Sequence, residues 1–168
     1  MQISMYQASV PVFLQILGSL SAILDKAAEH CEAKKIKAET MTATRLIPDM
    51  FPLARQIQIA TDQAKGSTAR LAGIEVPSYA DTEVSFEELK ARLTKTMDFL
   101  KSLKPAQIDG SEDRDIKLKL GGEEMTYKGI QYLLHFVYPN FFFHATTSYD
   151  ILRQAGVQLG KRDFVGQF

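Results

Sequence analysis

Residues 129–155 read GIQYLLHFVYPNFFFHATTSYDILRQA. Apolar positions recur in steps of four and three: Ile130, Leu134, Val137, Phe141, then His144, Ser148, Ile151 and Ala155. That spacing is the seam of a helix packed in a bundle. Two of its members are polar, and one is a histidine. A histidine aimed at a core needs a partner, a water or a metal. The stretch therefore sets both the fold class and the first candidate site.

Three further helices follow from the same periodicity. The first is expected from about Ser4 to Lys34, with Phe13, Leu17, Leu20, Leu24, Ala27 and Cys31 inward and Pro11 marking a kink or the true start. The second is expected to begin near Ile47-Pro48 and to end at Gly73, with the stripe Leu46, Met50, Leu53, Ile57, Ala60 and Ala64. Pro52 should distort its first turn. Val76–Thr82 reads as a loop. Ser85 with Glu88 forms a capping box that opens the third helix, whose inward set is Phe86, Leu89, Leu93, Met97, Leu100 and Leu103. Pro105 stops it.

The segment between the third and last helices changes period. Ile116-Lys-Leu-Lys-Leu120 alternates, Gly121-Gly122 follows, and Glu123–Tyr127 continues the alternation. This predicts a β-hairpin over Ile116–Tyr127. Four amphipathic helices with one longer crossover predict an all-α four-helix bundle carrying that hairpin, as a single domain over 1–168. Val157–Phe168 reads as a tail.

Composition narrows the function classes. Twenty Lys and Arg balance twenty Asp and Glu, which argues against a dedicated nucleic-acid binder. The one cysteine, Cys31, can form neither an internal disulfide nor a thiolate metal cluster, and it fits a reducing compartment. Ala8–Leu24 is apolar, yet no Lys or Arg precedes it and Gln15, Gly18, Ser19 and Ser21 interrupt it. Neither a signal peptide nor a membrane span is expected, and the reading is cytoplasmic.

The candidate site builds on His144. Asn140 and Ser148 stand four residues to either side and form a polar column along the helix. Pro139 leaves the carbonyl of residue 135 without its helical donor and should kink the helix one turn before His144. On the second helix Asp49 and Gln56 flank the apolar stripe and would face this column if the two helices are neighbours. Asp49 also suits a helix dipole in a first turn. The site candidates are therefore Asp49, Gln56, Asn140, His144 and Ser148, set against a purely structural network that fixes helix register. The run Phe141-Phe142-Phe143 covers most of a helix circumference, so one ring should face a partner, and a homodimer is expected. No H-E-x-x-H, P-loop or G-x-S-x-G motif occurs. Asparagine is a poor zinc ligand, so no metal and no cofactor are expected.

Two strings, RLIPDMFPLARQIQIATDQAK (Arg45–Lys65) and YPNFFFHATTSYDILRQAGVQLGKRDF (Tyr138–Phe164), resemble a bacterial domain-of-unknown-function family, DUF1993. The opening MYQASVPVFLQILGSLSAILDKA resembles it too, so the likeness covers essentially the whole chain. That family is similar in fold to the DinB/YfiT-like four-helix bundles. Many of those hold a metal on three histidines, and several are thiol-dependent transferases or hydrolases. Their last helix carries H-x-x-x-H, then R-G-Q and a leucine-arginine pair. Here Asn140 stands at the first histidine's place, His144 at the second's, and Leu152-Arg153 falls in register. No histidine in Arg45–Lys65 matches the one on their second helix. Three functions remain open on these grounds. They are a small-molecule-binding bundle with a polar pocket near Asn140 and His144, a metal-dependent transferase or hydrolase, and a structural protein acting through a dimer face.

Overall fold

A computed structural model describes residues 3–166. Its elements run α1 (Val10–Lys34), α2 (Ala38–Thr42), α3 (Leu53–Ala72), α4 (Phe86–Ser102), α5 (Pro105–Ile108), β1 (Asp115–Leu120), β2 (Glu123–Lys128), α6 (Gly129–Gln131), a π-helical segment (Tyr132–Val137), α7 (Tyr138–Gln154) and α8 (Lys161–Val165).

Helix α1 starts at Val10 rather than Ser4, with Pro11 in its first turn, where a missing N–H costs nothing. All six residues of its expected stripe are buried. By length and composition α1 could cross a membrane, but its apolar face is spent on the core. Helix α3 departs more from expectation. It opens at Leu53, with Pro52 as N-cap in an extended conformation. Residues 46–50 form a turn, so Pro48 and Asp49 precede the helix instead of opening it. Pro52 explains the shift: it has no N–H to give, and its ring biases Phe51 away from helical backbone. From Leu53 on, Ile57, Ala60 and Ala64 are buried as the periodicity requires, and Gly73 caps the helix with φ 68°. Helix α4 has the expected capping box: Glu88 N–H donates to Ser85 Oγ (3.2 Å) and Ser85 N–H to the Glu88 carboxylate (3.0 Å).

The four long helices form a ring in which α3 lies between α4 and α7, and α1 closes it from the other side. Both the α1-to-α3 and the α4-to-α7 connections therefore cross the bundle diagonally. The bundle has two long crossovers, not one. The hairpin occupies the second of them. Its strands pair antiparallel with Ile116 opposite Tyr127 and Leu118 opposite Met125. Gly121 and Gly122 turn the chain with φ 58° and 93°, the left-handed pair of a type I′ turn. Ile116 and Leu118 are buried, so one face of β1 joins the core. The tail is not featureless: α8 folds back on α1, where the Gln15 side chain donates to the Val165 carbonyl (2.9 Å) and Lys26 pairs with Asp163 (2.7 Å).

The last helix keeps its expected seam only from Val137 onward. Val137, Phe141, Ser148 and Ile151 are buried, whereas Leu134 is 40% exposed and Tyr132 and Leu133 take the inward places. The π-helical segment explains the slip. It holds an extra residue in its turn, so everything upstream rotates by about one position. It ends just before Pro139, and the disturbance that proline imposes takes this widened form. Asn140 adds a side-chain bond beside it: its amide Nδ2 donates to the Phe136 carbonyl (2.6 Å). Phe141 is the core member of the phenylalanine run, edge-on to Phe13 at 4.8 Å, while Phe142 is half-buried and Phe143 exposed.

Candidate functional site

The neighbouring packing of α3 and α7 brings two of the five candidates together. His144 Nδ1 and Gln56 Oε1 lie 2.6 Å apart. The other half of the Gln56 amide is committed, because Nε2 donates to the Phe51 carbonyl (3.0 Å). An amide anchored in that direction must turn its oxygen to the ring, so His144 donates from Nδ1. The neutral ring then carries its lone pair on Nε2, which no described residue engages and which is not sealed in the interior. Gln56 is buried, His144 is half-buried, and the exposed Phe143 ring stands edge-on to the imidazole at 5.2 Å.

The remaining candidates do different work. Ser148 is buried and donates to the His144 carbonyl (2.8 Å), while Asn140 is bonded to Phe136 as above. Both side chains spend a donor on their own helix, and neither bonds to the Gln56–His144 pair among the described residues. Asp49 is exposed in the 46–50 turn, and no hydrogen bond or ion pair ties it to His144 among the described residues. The expected column is thus a dyad, Gln56–His144, with two helix-bonded neighbours.

Burial pushes the His144 pKa below its ordinary value of 6.5, and the nearby Arg55 charge lowers it further. The unfolded chain consequently takes up this proton first. His144 contributes stability that is complete above pH 6.5 and is lost as the pH falls from there through its depressed folded value. The urea midpoint should fall with acidification below that point. His144→Gln, measured in the same series, should flatten this limb of the profile. An unchanged slope would show that the ring titrates freely.

A three-histidine metal centre does not fit this donor set. One imidazole faces a carboxamide whose two ends are both bonded, and amide oxygens are weak partners for zinc or nickel. Among the described residues no group of three His, Cys, Asp or Glu side chains is placed to hold a metal ion.

A second cluster went unnoticed in the sequence. Arg92, on the inward side of α4 and 2% exposed, donates from Nε to Thr61 Oγ1 (2.7 Å) and from Nη1 to the Ala80 carbonyl (2.9 Å). It pairs with Asp62 (2.8 Å), Asp81 (3.0 Å) and Glu83 (3.0 Å). The Tyr79 ring lies under the cations of Lys95 (4.2 Å), Lys65 (4.7 Å) and Arg92 (5.3 Å). The available signal was an arginine between Leu89, Leu93 and Thr96 on an otherwise core-facing stripe. Three of its partners, Ala80, Asp81 and Glu83, come from a loop, and no periodicity announces them.

This helical bundle with two diagonal crossovers and a hairpin in the second has a DinB-like fold. Residues 5–165 match the model of the family described as Domain of unknown function (DUF1993), and the chain belongs to that family. It is similar to the crystal structure of a DinB family member protein from Shewanella denitrificans, with 34% identity and a TM-score of 0.87 over 97% of this chain and 92% of that one. No curated protein matches it.

Proposed function

We propose that this chain is a cytoplasmic small-molecule-binding bundle whose recognition atom is His144 Nε2. The supporting observation is the Gln56 clamp. An amide anchored at both ends holds the ring as the Nδ1–H tautomer and leaves Nε2 an acceptor with no partner among the described residues. The matching ligand offers a hydrogen-bond donor beside an apolar body, because Phe51 and Phe143 flank the dyad and are 53% and 54% exposed. A library of neutral donor-bearing heterocycles tests the reading. A hit at about ten times its Kd should add about 1.4 kcal/mol of stability by mass action. That gain should vanish in His144→Ala and shrink in Gln56→Leu. Equal gains in all three proteins would place the ligand elsewhere.

The same exposed rim supports a homodimer in which a second copy covers Phe143. Sedimentation at about tens of micromolar, a concentration suited to a moderately tight contact, should give twice the 18.8 kDa chain mass. Phe143→Ser should return the monomer, and a monomeric wild type would end this part of the proposal.

A further inference from the structure

At the far end of α3 lies a cleft of about 390 Å³, walled by α3, β1 and the π-helical segment. Fourteen residues separate Arg70 from Gln56 on α3, or about 21 Å of helix. Four cations line the cleft, Lys65, Arg70, Lys117 and Lys119, against one carboxylate, Asp62. That carboxylate is already shared between Lys65 (2.9 Å) and the buried Arg92 (2.8 Å). Lys117 has a Glu124 partner at 3.6 Å, but both side chains are about two-thirds exposed, and such pairs hold weakly in water. Among the described residues neither Arg70 nor Lys119 has a carboxylate within ion-pair distance.

Arg70 is held in place despite lacking a counter-charge. Its Nη1 donates to the buried Tyr132 hydroxyl (3.3 Å). Its guanidinium lies back over Gly66, one turn earlier, where a Cβ would come to 2.8 Å from Nη1. A glycine inside a helix costs about 1 kcal/mol relative to alanine, and here it makes room for that side chain. Burial pushes the Tyr132 phenol up, so it stays a neutral hydroxyl that accepts from Arg70 and keeps its own proton to donate. Lys65 adds an ammonium that is only 7% exposed. The cleft thus combines a fixed guanidinium fork, a hydroxyl donor and three ammonium groups with a deficit of negative charge.

From this juxtaposition we infer that the cleft between Arg70, Lys65, Lys119 and Tyr132 is a binding site for the phosphate group of a small molecule. A phosphate dianion supplies the missing charge and accepts from the guanidinium through two oxygens. The site is separate from the Gln56–His144 dyad and does not depend on the function proposed for it.

Calorimetric titration at low salt with inorganic phosphate and with phenyl phosphate tests the inference. Both should bind saturably below about 10 mM. Arg70→Gln should weaken both by about tenfold or more, as expected for loss of a charge-assisted fork. Gly66→Ala is the sharper variant. It removes no charge and favours the helix, and the guanidinium can swing aside, so the protein folds; yet the donor leaves its seat, and affinity should drop about threefold or more. Tighter binding of phenyl phosphate than of phosphate assigns the cleft to an organic ester, and equal binding assigns it to the free anion. Absence of saturable binding would overturn the site. So would affinity unchanged in both variants, which is the mark of diffuse surface charge. Binding to a single-stranded oligonucleotide but to neither small phosphate would overturn it as well.

Discussion

Gly129→Ala is expected to be among the most damaging single-methyl additions in this protein. Gly129 is buried where the hairpin re-enters the last helix. A Cβ built there would fall inside the envelope of the Ser111 carbonyl oxygen, 3.0 Å from the Ser111 carbonyl carbon and 3.3 Å from Leu71 Cδ2. The obstacle is backbone, and that backbone is pinned. Arg114 N–H donates to the Ser111 carbonyl (3.1 Å), and Ile130 N–H to the Glu112 carbonyl (3.0 Å). Relief therefore requires moving the 108–114 link away from the helix it seals. Overpacking of cores typically costs about 1–3 kcal/mol, and a rigid neighbour places this case at or above about 3 kcal/mol. Gly18→Ala is the control. Gly18 lies inside α1 with nothing within 4 Å of its would-be Cβ, so the substitution should be neutral or stabilise by about 0.5–1 kcal/mol. Urea midpoints of the two variants should move in opposite directions. A Gly129→Ala midpoint equal to the wild type would refute the steric account.

Arg92→Met should have an effect of similar size for an electrostatic reason. Removing the guanidinium leaves Asp62 with Lys65, Asp81 with Arg55 and Glu83 with only the Gln58 amide, and deprives the Thr61 hydroxyl and the Ala80 carbonyl of their donor. Breaking a buried ion pair by deleting one partner costs about 3–5 kcal/mol. Asp62 and Asp81 are more than a third exposed, so solvent screens part of the loss and the lower end, about 3 kcal/mol, is expected. The loss should also have an address. Arg92 ties the 73–85 link to the bundle, so proteolysis within that link should accelerate before the helices unfold. Arg92→Lys should rescue little, since one ammonium cannot reach Thr61, Ala80 and three carboxylates in the planes a guanidinium spans. If both variants match the wild type in urea midpoint and cleavage rate, the cluster is ornamental and the loop is held by Tyr79 and its apolar neighbours.

The parts of this protein legible from the chain alone are those in which a residue's neighbours lie within one turn or one strand pair. Phe13, Leu17, Leu20, Leu24 and Ala27 are inward because a 3.6-residue period leaves them no other face. The Ser85–Glu88 box and the Gly121-Gly122 turn depend on side chains and φ values set within four residues. His144 could be placed near the core by the same arithmetic, and Gln56 on a facing flank. Where the arithmetic failed, a local conflict had two solutions. Pro48 and Pro52 each can begin a helix, and the backbone limits Pro52 sets, together with the seating of Leu53 in the core, selected the second. Pro139 can kink a helix or widen it. The π-helical segment that resulted moved Leu134 out and Tyr132 in, which no periodicity upstream of it records.

Tertiary structure decided what the polar groups do across helices. Asn140 and Ser148 have the right phase for a shared site, yet each found a carbonyl on its own helix first, because an acceptor four residues away carries no closure entropy. The 2.6 Å contact of Gln56 with His144 joins residues on α3 and α7, and it fixes a tautomer through a third residue, Phe51. Arg92 and Arg70 look alike in the chain. One is buried among three carboxylates, two delivered by a loop and one by α3, and the other is seated over a glycine with no counter-charge. Hydrophobic period is a property of consecutive residues, whereas charge compensation is a property of whichever segments the diagonal crossovers bring together. The chain therefore determined the bundle, and the packing of its helices determined where its chemistry stands.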